Sequence, residues 1–201
     1  MRTLTMKLQA PLMSWGTIDG YQRRDTDTHP TKSGVIGLVG AMLGRERGED
    51  MSDLNTLRYG CRTIKPGTFL DDLQTMGVRA DGKPNPLQTK QYLMDATFLV
   101  GLEAPDDNPI LDRILDAVGH PVYTPYLGRR ACPPAGPIEA RITDSPLEQA
   151  LQGAGVIHVE TPTGTLRTDQ PLNGRRFGIR YETRIDPATC DDFFNAVEDN
   201  Q

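Results

Sequence analysis

Residues 29–44 read His-Pro-Thr-Lys-Ser-Gly-Val-Ile-Gly-Leu-Val-Gly-Ala-Met-Leu-Gly, and the reading of the fold is built outward from them. Thr31 or Ser33 supplies a helix cap, an apolar run follows, and Gly44 ends it, so the spacing predicts a helix over 33–43. Gly34, Gly37 and Gly40 recur every three residues. Each costs about 1 kcal/mol of helix propensity, so close approach is the expected return, either by a sheet or by the backbone of a ligand. Upstream, residues 3–9 alternate polar and apolar and read as a strand. Between strand and helix, residues 10–32 form a long polar loop holding the single tryptophan, Trp15.

Downstream, a strand is expected over 59–65, stopped by Pro66-Gly67, and a long strand over 92–102. Residues 73–91 are polar and turn-rich, with Gly77, Asp81-Gly82, Pro84 and Pro86, and read as a protruding hairpin or arm. Ile110, Leu111, Ile114, Leu115 and Val118 fall at helical spacing after Asn108-Pro109. A strand near 122–127 would complete the order βαββαβ, the ferredoxin-like or RNA-recognition-motif arrangement. The fold class is therefore α+β. Residues 1–134 form the RNA-recognition-motif-like domain, with a projecting thumb hairpin at about 73–91. Residues 135–201 form a smaller β-rich C-terminal part with an acidic tail. Strands are expected near 138–142, 156–160 and 177–184, with a short helix at 146–151.

Composition narrows the function classes. The 201 residues are 37% hydrophobic with a net charge of −5, inside the globular range. The longest apolar run, residues 34–43, is too short to span a bilayer, and the first residues lack the apolar core of a signal peptide. Three cysteines, Cys61, Cys132 and Cys190, are an odd number without a C-x-x-C pair. They read as reduced thiols of a cytoplasmic protein. No Cys or His pair has zinc-ligand spacing, so neither metal nor cofactor is expected.

The charge is unevenly spread. Residues 1–48 carry seven basic and four acidic residues, and 117–185 carry eight and six, whereas 49–116 and 186–201 are acidic. The two positive blocks could form one basic face, suited to RNA. Thr31, Lys32 and Ser33 stand where loop becomes helix, a natural anion seat or an ordinary cap. No Walker A pattern is present. Tyr126-Leu-Gly128-Arg129-Arg130 places a glycine beside two arginines, which suits backbone phosphates or a solvated turn. Arg23 and Arg24 extend the basic census. No G-x-S-x-G and no Ser-His-Asp order occurs. Asp71-Asp72 reads as a solvated pair.

Four blocks carry a family resemblance: Pro11-Leu-Met-Ser-Trp15-Gly16, the 29–44 stretch, Tyr92-Leu-Met-Asp-Ala96-Thr-Phe98, and Pro121-Val-Tyr-Thr-Pro-Tyr-Leu-Gly-Arg-Arg-Ala-Cys-Pro133. In order and spacing the chain resembles the CasD family, the type I-E Cascade branch of the fifth CRISPR-associated family within the repeat-associated RNA-binding superfamily. The resemblance implies a non-catalytic subunit that holds the 5′ repeat-derived handle of CRISPR RNA. It implies contacts with the Cascade backbone and large subunits, and with target DNA only through the complex. RNA contacts are then expected from Trp15, Arg23, Arg24, Thr31, Lys32, Ser33, Gln74, Thr75, Met76, Tyr126, Gly128, Arg129 and Arg130. Type I-C relatives cut precursor RNA with an adjacent Lys and His, a pair this sequence lacks. A metal-independent nuclease using His120 or His29 as base, with Tyr21 or Tyr92 assisting, is the alternative. A stand-alone RNA-recognition domain is a third reading, against which the strands lack the aromatic RNP1 pattern.

Overall fold

A computed structural model describes residues 1–16, 23–75, 77–78, 81–83, 87–172 and 176–186. The first part of the chain holds β1 (Arg2–Gln9), β2 (Leu12–Met13), β3 (Arg23–Arg24), α1 (Lys32–Met42), α2 (Ser52–Asn55), β4 (Arg58–Lys65) and β5 (Thr68–Gln74). There follow β6 (Gln88–Met94), β7 (Thr97–Ala104), α3 (Ile110–Gly119), β8 (Glu139–Thr143), α4 (Leu147–Ala150), β9 (Ile157–Thr161), β10 (Thr165–Leu172) and β11 (Arg176–Ile185).

The alternation of β1 puts Leu4, Met6 and Leu8 into the core at full burial, beneath Val35, Ile36, Val39 and Met42 of α1 and Leu111 and Ile114 of α3. Burying apolar side chains of this size contributes roughly 1.5–3 kcal/mol each. Thr3 and Thr5 are buried as well. Their face of the strand is covered by the α4 segment, to which Thr3 is tied through Oγ1 donating to the Ser145 carbonyl at 2.8 Å. Leu147 and Leu151 of that segment form a second small core with Ile157, Val159 and Ile185.

Seven strands make one sheet in the order β10-β11-β9-β4-β7-β1-β8, every neighbouring pair antiparallel. The strands after residue 134 join both edges of the sheet that the earlier strands begin. A smaller sheet runs β2-β6-β3, with β5 also paired to β6. The architecture is mixed α+β with mostly antiparallel sheets.

Three expectations need correction. The segment 122–127 is not a strand, because Pro121 and Pro125 withdraw two backbone donors; β8 takes the place beside β1. The long strand expected over 92–102 is two strands. Asp95, at φ 53°, breaks it, so β6 leaves the main sheet and β7 remains at its centre. The hairpin of β5 and β6 begins at Thr68 rather than 73, and Asp71-Asp72 lies within its ladder. The strand β10 escapes the sequence pattern: its run is polar and contains Pro171, which an edge strand tolerates.

Candidate nucleic-acid interface

Thr31 is the helix cap, accepting from the Gly34 amide at 3.2 Å. The anion seat behind it is filled by the protein itself. The Lys32 amide donates to Asp169 Oδ2 at 2.7 Å, and its ammonium donates to Glu160 at 2.9 and 3.2 Å. Lys32 is only 2% exposed. Burial pushes its ammonium below the usual lysine range, and the Glu160 charge opposes that shift. Lys32 and Thr31 are therefore structural, contrary to the expected phosphate contact, because acids of β9 and β10 arrive first. Trp15 is also interior: it is fully buried, and its ring closes on Gly34, where a Cβ would stand 2.9 Å from Cε3. That is the use of the first helical glycine. Gly40 makes room for Met51, and Gly37 has nothing within 4 Å.

The Gly-Arg-Arg turn divides its labour. Gly128, at φ 90°, lies so close to the Ser14 carbonyl that any side chain would overlap it. Ser14 in turn donates its amide to the Leu127 carbonyl at 3.1 Å. Arg129 is a structural pin. It donates to the carbonyls of Gln91 and Arg24, each at 3.0 Å, and lies over the Tyr92 ring 4.8 Å from its centroid. Arg130 is exposed and has no ion-pair partner among the described residues.

Arg130 opens onto a groove of about 1480 Å³ whose floor is the exposed face of α1 at Ser33, Gly37 and Ala41. Arg24 and Arg47 also line it, exposed and likewise without an ion-pair partner among the described residues. Tyr123, Tyr126 and Phe177 add aromatic surface. Arg45, on the same wall, is neutralised by Asp53. Unpaired guanidiniums beside exposed rings suit a single-stranded nucleic acid, whose phosphates take the charges and whose bases stack.

Of the expected contacts, the groove brings together Arg24, Ser33, Tyr126 and Arg130. Arg23 lies apart, paired with Asp25 and Asp71. In the hairpin, Gln74 is held by Asp72 and Lys90, and Thr75 is exposed. Met76 lies outside the described residues. Arg47, Tyr123 and Phe177 went unread in the sequence. A Tyr-x-x-Tyr in a proline-bounded turn just ahead of Arg130 was the one local signal for Tyr123.

The groove's far wall, β10 and β11, is fixed to α1 by a buried ionic network. Arg180 donates to Asp169 at 2.6 and 2.9 Å and to Glu182 at 2.9 Å. Arg167 pairs with Asp27. Burial would raise the Glu182 carboxyl, but the close approach of His158 and His29 and the Arg180 charge outweigh it and hold it well below the usual carboxylate range.

Exposed arginines beside aromatic rings are what a nucleic-acid-binding protein offers, and sequence comparison gives the class: the family of CRISPR-associated proteins described as Cas5 matches residues 3–184. The chain belongs to that family. It is 33% identical over 203 residues to the CRISPR system Cascade subunit CasD of Escherichia coli (strain K12), covering 92% of this chain and 88% of that protein. Among solved structures, a Cas protein crystal structure shares 35% identity with a TM-score of 0.75, covering 91% of this chain and 93% of that one. A chain of a CRISPR RNA-guided surveillance complex shares 27% identity with a TM-score of 0.77, covering 94% and 92%.

Proposed function

We propose that this chain is the subunit of a Cascade-type surveillance complex that holds the 5′ repeat-derived handle of CRISPR RNA. The observation that carries the reading is the groove on α1, in which Arg24, Arg47 and Arg130 stand exposed beside Tyr123 and Tyr126, with no ion-pair partner among the described residues. Its similarity to a Cascade subunit gives the groove its ligand class. In this reading β1-α1-β4-β7-α3-β8 is the ferredoxin-like unit, since its strands lie in the order β4-β7-β1-β8. The β5–β6 hairpin is the thumb. Exposed Phe69, Leu73 and Val78 on it would meet the neighbouring backbone and large subunits. Target DNA is then met only through the assembled complex.

The subunit binds without cutting. The bases that a nuclease reading requires are badly placed: His29 is 3% exposed, Tyr92 is 5% exposed, and His120, at the end of α3, is not among the groove-lining residues. Tyr21 lies outside the described residues.

The test is the salt dependence of handle binding, measured by fluorescence anisotropy on the purified chain. Each phosphate contact on a single strand contributes about 0.7 to the slope of log K against log salt. Replacing Arg24, Arg47 and Arg130 together by Ala is expected to flatten the slope by about 2. An unchanged slope would overturn the assignment. Arg129→Ala should behave in the opposite way, leaving the slope intact while costing about 1–3 kcal/mol of stability through two lost charged hydrogen bonds and the Tyr92 contact.

A further inference from the structure

The outer face of the seven-stranded sheet, opposite α1, is covered only in part. Leu147 and Leu151 of the α4 segment close it over Ile157, Val159 and Ile185. Back along β11 from Ile185 the cover stops. Arg180 and Glu182 turn inward, where Arg180 meets Asp169 and the Tyr59 ring and Glu182 approaches His29. Alternation therefore puts Ile179 and Tyr181 on the outside, and the register sets Leu166 of β10 directly opposite Tyr181. Ile179, Tyr181 and Leu166 are 61%, 41% and 52% exposed. Such cross-strand neighbours form one apolar patch, and on the same face Thr183 leads from it to Ile185 and the small core.

A segment suited to cover the patch is attached beside it. The described residues end at Asp186, next to Ile185, and residues 187–201 follow. At about 100° per residue, Cys190, Phe193, Phe194, Ala196 and Val197 fall on one side of a helix and Asp191, Asp192, Asn195, Glu198 and Asp199 on the other. No apolar residue of this stretch falls among the acids. Thr189, with Asp192 three residues on, is the signature of a helix start.

The lengths agree as well. Residues 190–199 make a helix of about 15 Å, and β11 runs about 20 Å from Ile185 back to Ile179. Pro187, Ala188 and Thr189 remain for the reversal, within the usual connection of about 2–6 residues. Tethered to the edge of the patch, the segment has a local concentration that a free partner must compete with.

We infer that residues 190–199 fold back as an amphipathic helix onto Leu166, Ile179 and Tyr181, carrying Phe193, Phe194 and Val197 into the patch and extending the small core across β11 to β10. The acids of this helix then line the back of the sheet, away from the arginine groove, so that nucleic acid is repelled there and drawn to the α1 side.

Hydrogen exchange of the full chain, read by mass spectrometry on peptides of the C-terminal segment, tests this. Amides of 191–199 should exchange at least about tenfold more slowly than in an unstructured chain, the low end of native opening, and equally so at low and high protein concentration. Phe193→Ser with Phe194→Ser should remove the protection, and so should Ile179→Ser with Tyr181→Ser. Leu73→Ser, at an exposed apolar residue of the β5–β6 hairpin, should leave it unchanged. Cys190 gives a second reading, because Cys61 and Cys132 are buried. Its alkylation by iodoacetamide should be slow in the wild type and quicken in both double variants. Amides that exchange at the unstructured rate would overturn the inference and leave the patch to another subunit. Protection that grows with concentration would overturn it in favour of a second copy. Protection untouched by Ile179→Ser with Tyr181→Ser would place the segment elsewhere and also overturn it; Leu166→Ser decides if that variant fails to fold. These readings need no RNA, so the result stands apart from the proposed RNA-binding function.

Discussion

Gly128→Ala is expected to cost about 3–5 kcal/mol of stability, among the larger effects of a single substitution. Two causes add. At φ 90° the backbone occupies the left-handed region, which penalises a side chain by roughly 1–2 kcal/mol. A Cβ would also overlap the Ser14 carbonyl, so the turn and the segment leading to Trp15 must separate. Their separation opens the hydrogen bond from Ser14 to Leu127 and loosens the ring of Trp15 from α1. For a chain of this size the melting temperature should fall by roughly 10 °C. Gly119→Ala is the fitting comparison. It ends α3 with nothing within 4 Å and should be neutral or gain up to about 1 kcal/mol. If urea unfolding put Gly128→Ala within about 1 kcal/mol of wild type, the close approach would not be holding the turn.

Arg180→Met should be comparably severe at neutral pH, for an electrostatic reason. The guanidinium is 4% exposed and satisfies Asp169 and Glu182 at once. Methionine keeps much of the volume but leaves Asp169 with only the Lys32 amide and Glu182 Oε2 without its cation, a loss of about 3–5 kcal/mol. The sign of the pH dependence follows from Glu182. Its carboxyl is depressed in the folded chain, so its contribution is present above the unfolded value of about 4.3 and is lost as pH falls below it. In the variant the stranded acids can protonate instead, so its deficit against wild type should shrink between pH 7 and pH 4.5. Chemical unfolding at both pH values measures this. A deficit equal at both would mean that the two acids find other partners.

Which parts of this molecule could be read in its sequence follows from how far each residue's partner lies along the chain. β1, α1 and α3 were legible because alternation, helical spacing and a cap are local. The segment 122–127 misled because Val122 and Tyr123 have strand propensity. They are instead 65% and 45% exposed, in a turn that prolines keep out of any ladder. The site divides in the same way. Arg24, Tyr126 and Arg130, singled out by charge and chemistry, all line the groove. Lys32 looked free because a sequence displays a charge without its partner, and Glu160 stands 128 residues further on. His29 looked isolated for the same reason. Trp15 was expected at the RNA, yet its ring is buried and packs on Gly34 of α1.

The place of β1 in the sheet also sets an order of events during synthesis. Its residues 3–7 pair with 139–143, so the strand made first waits for more than two-thirds of the chain before its second edge is covered. At about 5–20 residues per second, that interval lasts from several to tens of seconds. β7 can close the other edge earlier, since Gln9 meets Thr97 and Arg2 meets Ala104. Until β8 emerges, the nascent sheet presents an open ladder edge, which other chains can extend. A ribosome stalled between residues 104 and 139 would expose that edge for longest.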